Sequence, residues 1–363
     1  MLVVDAGVLG VAPPLGHDGA NLVQDSLRLP SLECRDTADL AEVLEREAAA
    51  PRQPILKART GAGRRGSNLS GSPMPRHFLT GTELDSAELG ALIERALELK
   101  AAPRSSQALN ERCVGLVFEK PSTRTRVSFE VGVVELGGHP LILRPDELQL
   151  SRGEPLRDTV LVLSRHLDAL GVRTGPQAVL EELAQAGSIP VFNMLTARHH
   201  PCQALADLLT LRETFGTLTG LRIAYVGDGN NVARSLALIG SRAGLEVVVA
   251  SPEGYELEPG SGATLVRDPA EAVRGAHAVY TDVWVSMGDE QTADARRAAF
   301  AAYRVDDALL DLALPEAIAL HDLPAHAGEE ITAEVLYGPR QRIWDQAENR
   351  RHAQKALLEW LLP

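Results

Sequence analysis

The sequence predicts an α/β protein of two doubly wound parallel-sheet domains, with the active site in the cleft between them. Three observations predict it. Short apolar runs alternate with segments of helical spacing, the pattern of parallel βα units. The alternation pauses at 216–220, which holds Gly216 and Gly220, and restarts at Leu221. Polar residues gather at predicted strand ends: Ser122 onward, Arg173, Asn193, Asp228 to Asn231, Asp282 and His321. Ligands of open parallel sheets sit outside the carboxyl ends of the strands. One polar strand end is noise, but a set spread over two domains points to a shared cleft.

Residues 1–75 stand apart. Ala12-Pro13-Pro14, Gly61-Ala62-Gly63-Arg64-Arg65-Gly66 and Ser70-Gly71-Ser72-Pro73 are linker-like, and only 37–50 has helical character. The stretch reads as a flexible extension or as a start set too early. Scattered Asp5, Asp18 and Asp25 fit a transit peptide poorly.

The first domain is expected over 76–216. Residues 84–100 form an amphipathic helix capped near Thr82. A buried strand at 114–118 leads into a helix at 127–136. Then come a short strand at 141–143, a polar loop at 145–155 and a helix at 156–166. A strand at 169–172 ends at Arg173, a helix covers 179–186, and a strand covers 190–193. A long helix at 200–215 closes the unit. The second domain is expected over 217–344. Its strands fall at 221–226, 246–250, 278–281 and 318–320, the last ending at His321. Its helices fall at 232–243, 270–273 and 293–303. A closing helix over 346–362, within a C-terminal segment 345–363, completes the first domain.

The chain has 363 residues, 45% of them hydrophobic, enough for two proper cores. A net charge of −13 argues against a nucleic-acid or membrane surface, so any anion site must be locally basic. Cys34, Cys113 and Cys202 lack zinc-ligand or CxxC spacing, which suits a reducing compartment. No apolar run reaches membrane-spanning length, and no basic start precedes an apolar core. A cytoplasmic location is expected.

The richest stretch is Lys120-Pro121-Ser122-Thr123-Arg124-Thr125-Arg126. Pro121 stops the strand, and Ser122 or Thr123 caps the helix. Free N–H groups and the helix dipole favour an anion there. Arginine adds a planar fork matched to phosphate oxygens. A capped helix with solvated arginines is the plainer reading, but so many phosphate-suited residues in a row are unlikely by chance. Gly227-Asp228-Gly229-Asn230-Asn231 invites a dinucleotide reading. The third glycine of that fingerprint is absent, and the next strand ends Val249-Ala250-Ser251 without a ribose-binding carboxylate. No Walker loop occurs, so ATP and NAD are disfavoured. No metal and no organic cofactor are expected.

Several motifs together carry a resemblance. Phe118-Glu119-Lys120-Pro121-Ser122-Thr123-Arg124-Thr125-Arg126 resembles the carbamoyl-phosphate motif of the transcarbamylases. Its Phe-Glu-Lys lead-in is similar to ornithine carbamoyltransferases rather than aspartate ones. His200-Pro201-Cys202-Gln203 matches their second motif, and Asp282-Val283-Trp284-Val285-Ser286-Met287-Gly288 the ornithine-side loop. Asp345-Gln346-Ala347-Glu348-Asn349-Arg350 matches the final helix motif. The resemblance runs from about Arg76 to the end.

It implies an enzyme that makes citrulline and phosphate from carbamoyl phosphate and L-ornithine, in arginine biosynthesis. It implies that Ser122, Thr123, Arg124 and Thr125 hold the phosphate, and that Arg173, His200 and Arg350 surround the carbonyl oxygen. Gln203 would hold the amide, Leu323 would add a carbamoyl-phosphate contact, and Gln149 would reach a neighbouring subunit's site in a homotrimer. Asn193, Asn231, Asp282, Ser286 and Met287 would bind ornithine. Singly, each has a plainer role: His200 as a cap, Met287 as core filler, Arg350 as a surface arginine. The spacing of three between His200 and Gln203 puts both on one helix face.

Two positions depart from the family. His321-Asp322-Leu323-Pro324 stands where it usually has His-Cys-Leu-Pro, and Met194 follows Asn193 where glycine or alanine is commoner. Asp322 is expected to take over the cysteine's part in handling the amine proton, beside Asp282. Paired carboxylates tend to raise one pKa. The other readings are a transcarbamylase for another amine, such as putrescine or an acylated ornithine, or a catalytically impaired binding relative.

Overall fold

Two runs of buried strands, each followed by a polar turn and a helix, set the architecture. The computed structural model describes residues 75–144, 146–149, 153–286 and 290–363. The reading of 1–75 as an extension falls outside that range, Pro75 apart. In the first sheet β1 (Cys113–Phe118), β2 (His139–Leu143), β3 (Ala169–Arg173) and β4 (Val191–Leu195) are all parallel, in the order β2-β1-β3-β4. Every residue of β3 is buried, as helices on both faces of a parallel sheet require. β2, at the edge, is half-exposed.

Helix α1 (Ser86–Ala101) begins later than the expected cap near Thr82. Asp85 and Glu88 form a capping box, while Thr80 and Gly81 donate backbone N–H groups to Glu83 in the preceding turn. Helix α2 (Thr123–Glu135) begins four residues before the expected 127, because Ser122 Oγ accepts from the Thr125 N–H at 3.3 Å. The polar first turn hides that start from apolar periodicity. Helices α3 (Leu156–Leu163), α4 (Gln177–Ala186) and α5 (Pro201–Phe215) complete the unit.

In the second sheet β5 (Arg222–Val226), β6 (Glu246–Ala250), β7 (Thr264–Val266), β8 (Ala278–Thr281) and β9 (Ile318–His321) run parallel in the order β7-β6-β5-β8-β9. Around them lie α6 (Asn231–Arg242), α7 (Pro269–Val273), α8 (Ala293–Phe300), α9 (Asp307–Leu310) and α10 (Ala333–Leu336). The sequence does not signal β7, α9 or α10, which are too short for a periodic pattern. The helix expected over 293–303 ends at Phe300 and tightens to a 3-10 turn over 301–303.

The last helix, α11 (Ile343–Leu361), packs on α5, α1 and α2. Its Lys355 is fully buried and fully bonded, with Nζ donating to Glu135 Oε2 at 2.7 Å and to the carbonyls of Pro103 (2.9 Å) and Leu99 (3.1 Å). Helix α5 is buried from Pro201 to Leu211 and packs on α6. One apolar core therefore runs from Phe192 and Leu205 through Leu236 to Tyr225 and Tyr280, joining the two sheets. Among the described residues no helix is long and apolar enough to cross a membrane.

Candidate active site

Phe118 and Arg173 are register partners, so β1 and β3 open at the same level. The start of α2 lies just beyond. Ser122 is half-buried, Thr123 and Arg124 exposed, and Thr125 buried. From α11, Arg350 reaches this point. Its Nη2 donates to Thr125 Oγ1 at 2.6 Å, and its Nη1 to Gln203 Oε1 at 2.5 Å and Asp322 Oδ1 at 3.3 Å. One guanidinium thus ties together α2, α5 and the loop after β9. His200, at the start of α5, anchors its backbone N–H on Ser235 Oγ at 2.7 Å. Its Nε2 lies 3.8 Å from Asp322 Oδ2.

The cations are crowded. Burial, then Arg350 and Arg124, push Arg173 down to about 10. Burial and Arg350 also lower Arg124. His200 is held well below its ordinary value by burial and by Arg350, Arg173 and Arg124, so it is neutral near pH 7. A neutral imidazole can donate one hydrogen bond but carries no charge, which leaves charge stabilisation to the guanidiniums.

The loop after β9 is fixed on both sides of Asp322. His321 donates its N–H to Gln346 Oε1 at 2.9 Å, and its Nδ1 accepts the Leu323 N–H at 2.8 Å. That acceptor role puts the ring proton on Nε2, which faces Glu330 Oε1 at 3.2 Å. Leu323 has φ +67°, a region few non-glycine residues enter, and its carbonyl accepts from Arg124 Nη2 at 2.7 Å. Burial pushes the Asp322 carboxyl up, against the pull of Arg350, His321, Arg124 and Arg173.

The second domain offers the opposite sign. Asp282, just past β8, accepts from Asn230 Nδ2 at 2.9 Å. Burial and then Asp322 push it up to about 7. Asn231 Nδ2 donates to the Thr196 carbonyl, and Asn193 Nδ2 to the Leu79 carbonyl, both at 2.7 Å. Asn193 Oδ1 is buried without a hydrogen-bond partner. Met194 is fully buried in the core. Ser286 is half-buried and Gln149 exposed, and neither belongs to these networks. Met287 lies outside the described residues.

Three supporting residues have no role in the sequence reading. Asn230, rather than its neighbour Asn231, holds Asp282, while its Oδ1 caps α6. Asp207 and Gln346 form a buried pair at 2.7 Å, and Asp207 Oδ1 also takes Gln203 Nε2 at 2.9 Å. This turns the Gln203 amide so that its oxygen faces Arg350. The spacing of four from Gln203 to Asp207 is the signal that could reveal it. Burial pushes Asp207 up to about 7. The Gly227–Asn231 stretch is a tight strand-to-helix turn. Gly229 donates to the Tyr255 carbonyl at 2.9 Å, and a Cβ there would lie 2.2 Å from Leu257 N. Asp228 is paired with Arg296. His326, Glu329 and Glu330 lie close enough to share a metal ion, yet Glu330 serves His321 and Glu329 serves Arg297 at 3.1 Å.

Comparison with known proteins gives a consistent picture. The family described as aspartate/ornithine carbamoyltransferase, carbamoyl-P binding domain, matches residues 76–213. Its companion, the Asp/Orn binding domain, matches 219–361. The chain is 52% identical over 293 residues to the ornithine carbamoyltransferase of Gloeobacter violaceus, covering 77% of this chain and 93% of that one. It is also 52% identical over 303 residues to that of Acidothermus cellulolyticus, covering 80% and 97%. The crystal structure of ornithine carbamoyltransferase from Thermus thermophilus superposes with a TM-score of 0.75 at 44% identity, over 80% of this chain and 100% of that one. The chain belongs to the aspartate/ornithine carbamoyltransferase family and is a carbamoyltransferase.

Proposed function

We propose that this carbamoyltransferase transfers the carbamoyl group of carbamoyl phosphate to the δ-amine of L-ornithine, giving L-citrulline and phosphate. The first domain, 76–216 with 345–363, holds carbamoyl phosphate, and the second, 217–344, holds ornithine. The observation that carries the reading is the convergence of Arg124, Arg173 and Arg350 with a neutral His200 at the ends of β1 and β3. Crowded guanidiniums that depress one another call for a multiply charged anion.

Ser122, Thr123, Arg124 and Thr125 take the phosphate oxygens. Gln203 takes the carbamoyl amide, helped by the backbone of Leu323. The amine nitrogen's lone pair forms a bond to the carbonyl carbon, and the π pair moves to the oxygen. That oxyanion is met by Arg173, Arg350 and the Nε2 proton of His200. The oxyanion's pair then re-forms the C=O as the C–O bond to phosphate breaks, and phosphate leaves with that bond's electron pair and takes the surplus proton from the attacking nitrogen. Alkyl ammonium groups titrate near pH ~10, so the attacking amine must first give up a proton. Asp282, Asp322, Asn193, Asn231, Ser286 and Met287 bind the amino acid, and the carboxylates accept that proton.

Relatives named ornithine carbamoyltransferase at 52% identity support ornithine as the acceptor. The same reading puts the enzyme in arginine biosynthesis in the cytoplasm, as a homotrimer in which Gln149 serves a neighbouring site. Steady-state citrulline formation tests it, with putrescine and N-acetyl-L-ornithine as competing acceptors. Turnover with ornithine in large excess over the other two is expected. Preference for either alternative would overturn the substrate assignment, and no product from any would overturn the activity.

A further inference from the structure

We propose that Asp322 is a built-in competitor for carbamoyl phosphate, and that its displacement prepares the ornithine side of the cleft. The proposal rests on the reading of the cleft given above.

Asp322 Oδ1 accepts from Arg350 Nη1 at 3.3 Å, and Oδ2 lies 3.8 Å from His200 Nε2. These are the groups assigned to the carbonyl oxygen of carbamoyl phosphate. Arg350 makes much shorter bonds to Gln203 at 2.5 Å and Thr125 at 2.6 Å. The Asp322 contact is therefore the one that yields when a stronger anion arrives. Its neighbours His321 and Leu323 are held by their own hydrogen bonds, so the side chain can turn while the backbone stays. That side chain remains 13% exposed, at the cleft rather than sealed in the core.

Asp322 is faced by Arg350 from α11, Arg124 from α2, Arg173 from the end of β3 and His321 from β9. His200 faces it from the start of α5, while Asp282 and Asp207 face it as fellow carboxylates. With Arg350 as partner the carboxylate is compensated. Once carbamoyl phosphate takes that guanidinium, Asp322 stands beside Asp282 with two negative charges to be balanced, and the substrate ammonium balances them. No bond to carbon forms or breaks in this step. The carboxylate exchanges a guanidinium partner for an ammonium.

Three consequences follow. Removing the charge should tighten carbamoyl phosphate binding and weaken ornithine binding. The cost of competition should grow as pH rises, because Asp322 competes only when ionised. The two substrates should bind cooperatively, within the ~5–150-fold span usual for coupled sites.

The test is calorimetric titration of carbamoyl phosphate into the full chain and into Asp322→Asn, at pH 6 and pH 8, with the ornithine KM of both proteins. Asp322→Ser serves as a second variant of different shape. Carbamoyl phosphate titrates identically in each experiment, so the difference between proteins isolates Asp322. About tenfold tighter carbamoyl phosphate binding is expected in both variants at pH 8, with a raised ornithine KM. Equal or weaker binding by both variants at both pH values overturns the proposal and leaves the substrate assignment standing. No carbamoyl phosphate binding by any of the three proteins overturns that assignment and the proposal with it.

Discussion

The two sides of the cleft use the same βα architecture and carry opposite charge. The first gathers Arg124, Arg173, His200 and Arg350 from α2, β3, α5 and α11, spread over more than half of the chain. The second keeps Asn230, Asn231 and Asp282 at the ends of two adjacent strands, β5 and β8. The cation side is held by long-range side-chain bonds that run through α11. The carboxylate side is held locally, by a helix cap. The topology supplies positions, and the residues at strand ends decide what each side can bind.

The largest effect should follow Arg350→Ala, which removes the tie between Thr125, Gln203 and Asp322. Loss of one such donor typically costs roughly 10²–10³ in rate. A fall in kcat of at least that size is expected in a citrulline assay, with the fold intact by circular dichroism. A fall below tenfold would move Arg350 out of the reaction.

Next comes Lys355→Ala, which leaves buried Glu135 with Arg351, 3.4 Å from its Oε1, as its remaining charged partner behind α11. Leaving a buried charge with no partner typically costs about 3–5 kcal/mol, and the Arg351 contact sets that as the upper bound here. Chemical denaturation should report a loss within that bound. Because α11 carries Arg350, the variant should lose carbamoyl phosphate affinity more than ornithine affinity. Equal losses would erase the distinction between a long-range side and a local one.

Asp282→Asn should act on the local side alone. Hydrogen bonds to charged groups contribute about 1.5–3 kcal/mol, so the ornithine KM should rise roughly tenfold or more. The carbamoyl phosphate Kd should hold steady in the same preparation.

The smallest effect concerns pH. Burial pushes Asp207 and Asp282 up to about 7, above the ordinary carboxylate value near ~4. A raised folded-state pKa contributes stability that is full below the unfolded value and lost as pH rises through 7. The melting temperature should therefore decline from pH 5 to pH 8. Asp207→Asn keeps the Oδ1 acceptor for Gln203 and Gln346 and should flatten that decline. An unchanged slope would show that Asp207 is charged at both ends of the range.

Much of this was legible beforehand, for physical reasons. Buried parallel strands such as Ala169–Arg173 read as continuous apolar runs, and strand-end polar residues stand out against them. The convergence of Arg350 on Gln203 was not legible from spacing, because 147 residues separate them and only packing of α11 on α5 joins them. Family resemblance supplied that link. The part of Asn230 is not legible, because a cap and a ligand look alike in a Gly-Asn-Asn turn. The sequence also could not tell which partner Asp322 chooses. Its carboxylate lies near enough to Asp282 to raise it, as expected, and it also bonds to Arg350.

The central claim is that Arg124 on the cation side, rather than Asp282 on the carboxylate side, supplies the direct contacts to carbamoyl phosphate. Calorimetric titration of carbamoyl phosphate into the unaltered chain, Arg124→Ala and Asp282→Asn tests it most directly. The account predicts similar affinity for the unaltered chain and Asp282→Asn, and no detectable binding by Arg124→Ala. Unchanged affinity in Arg124→Ala, or an equal loss in Asp282→Asn, would contradict it.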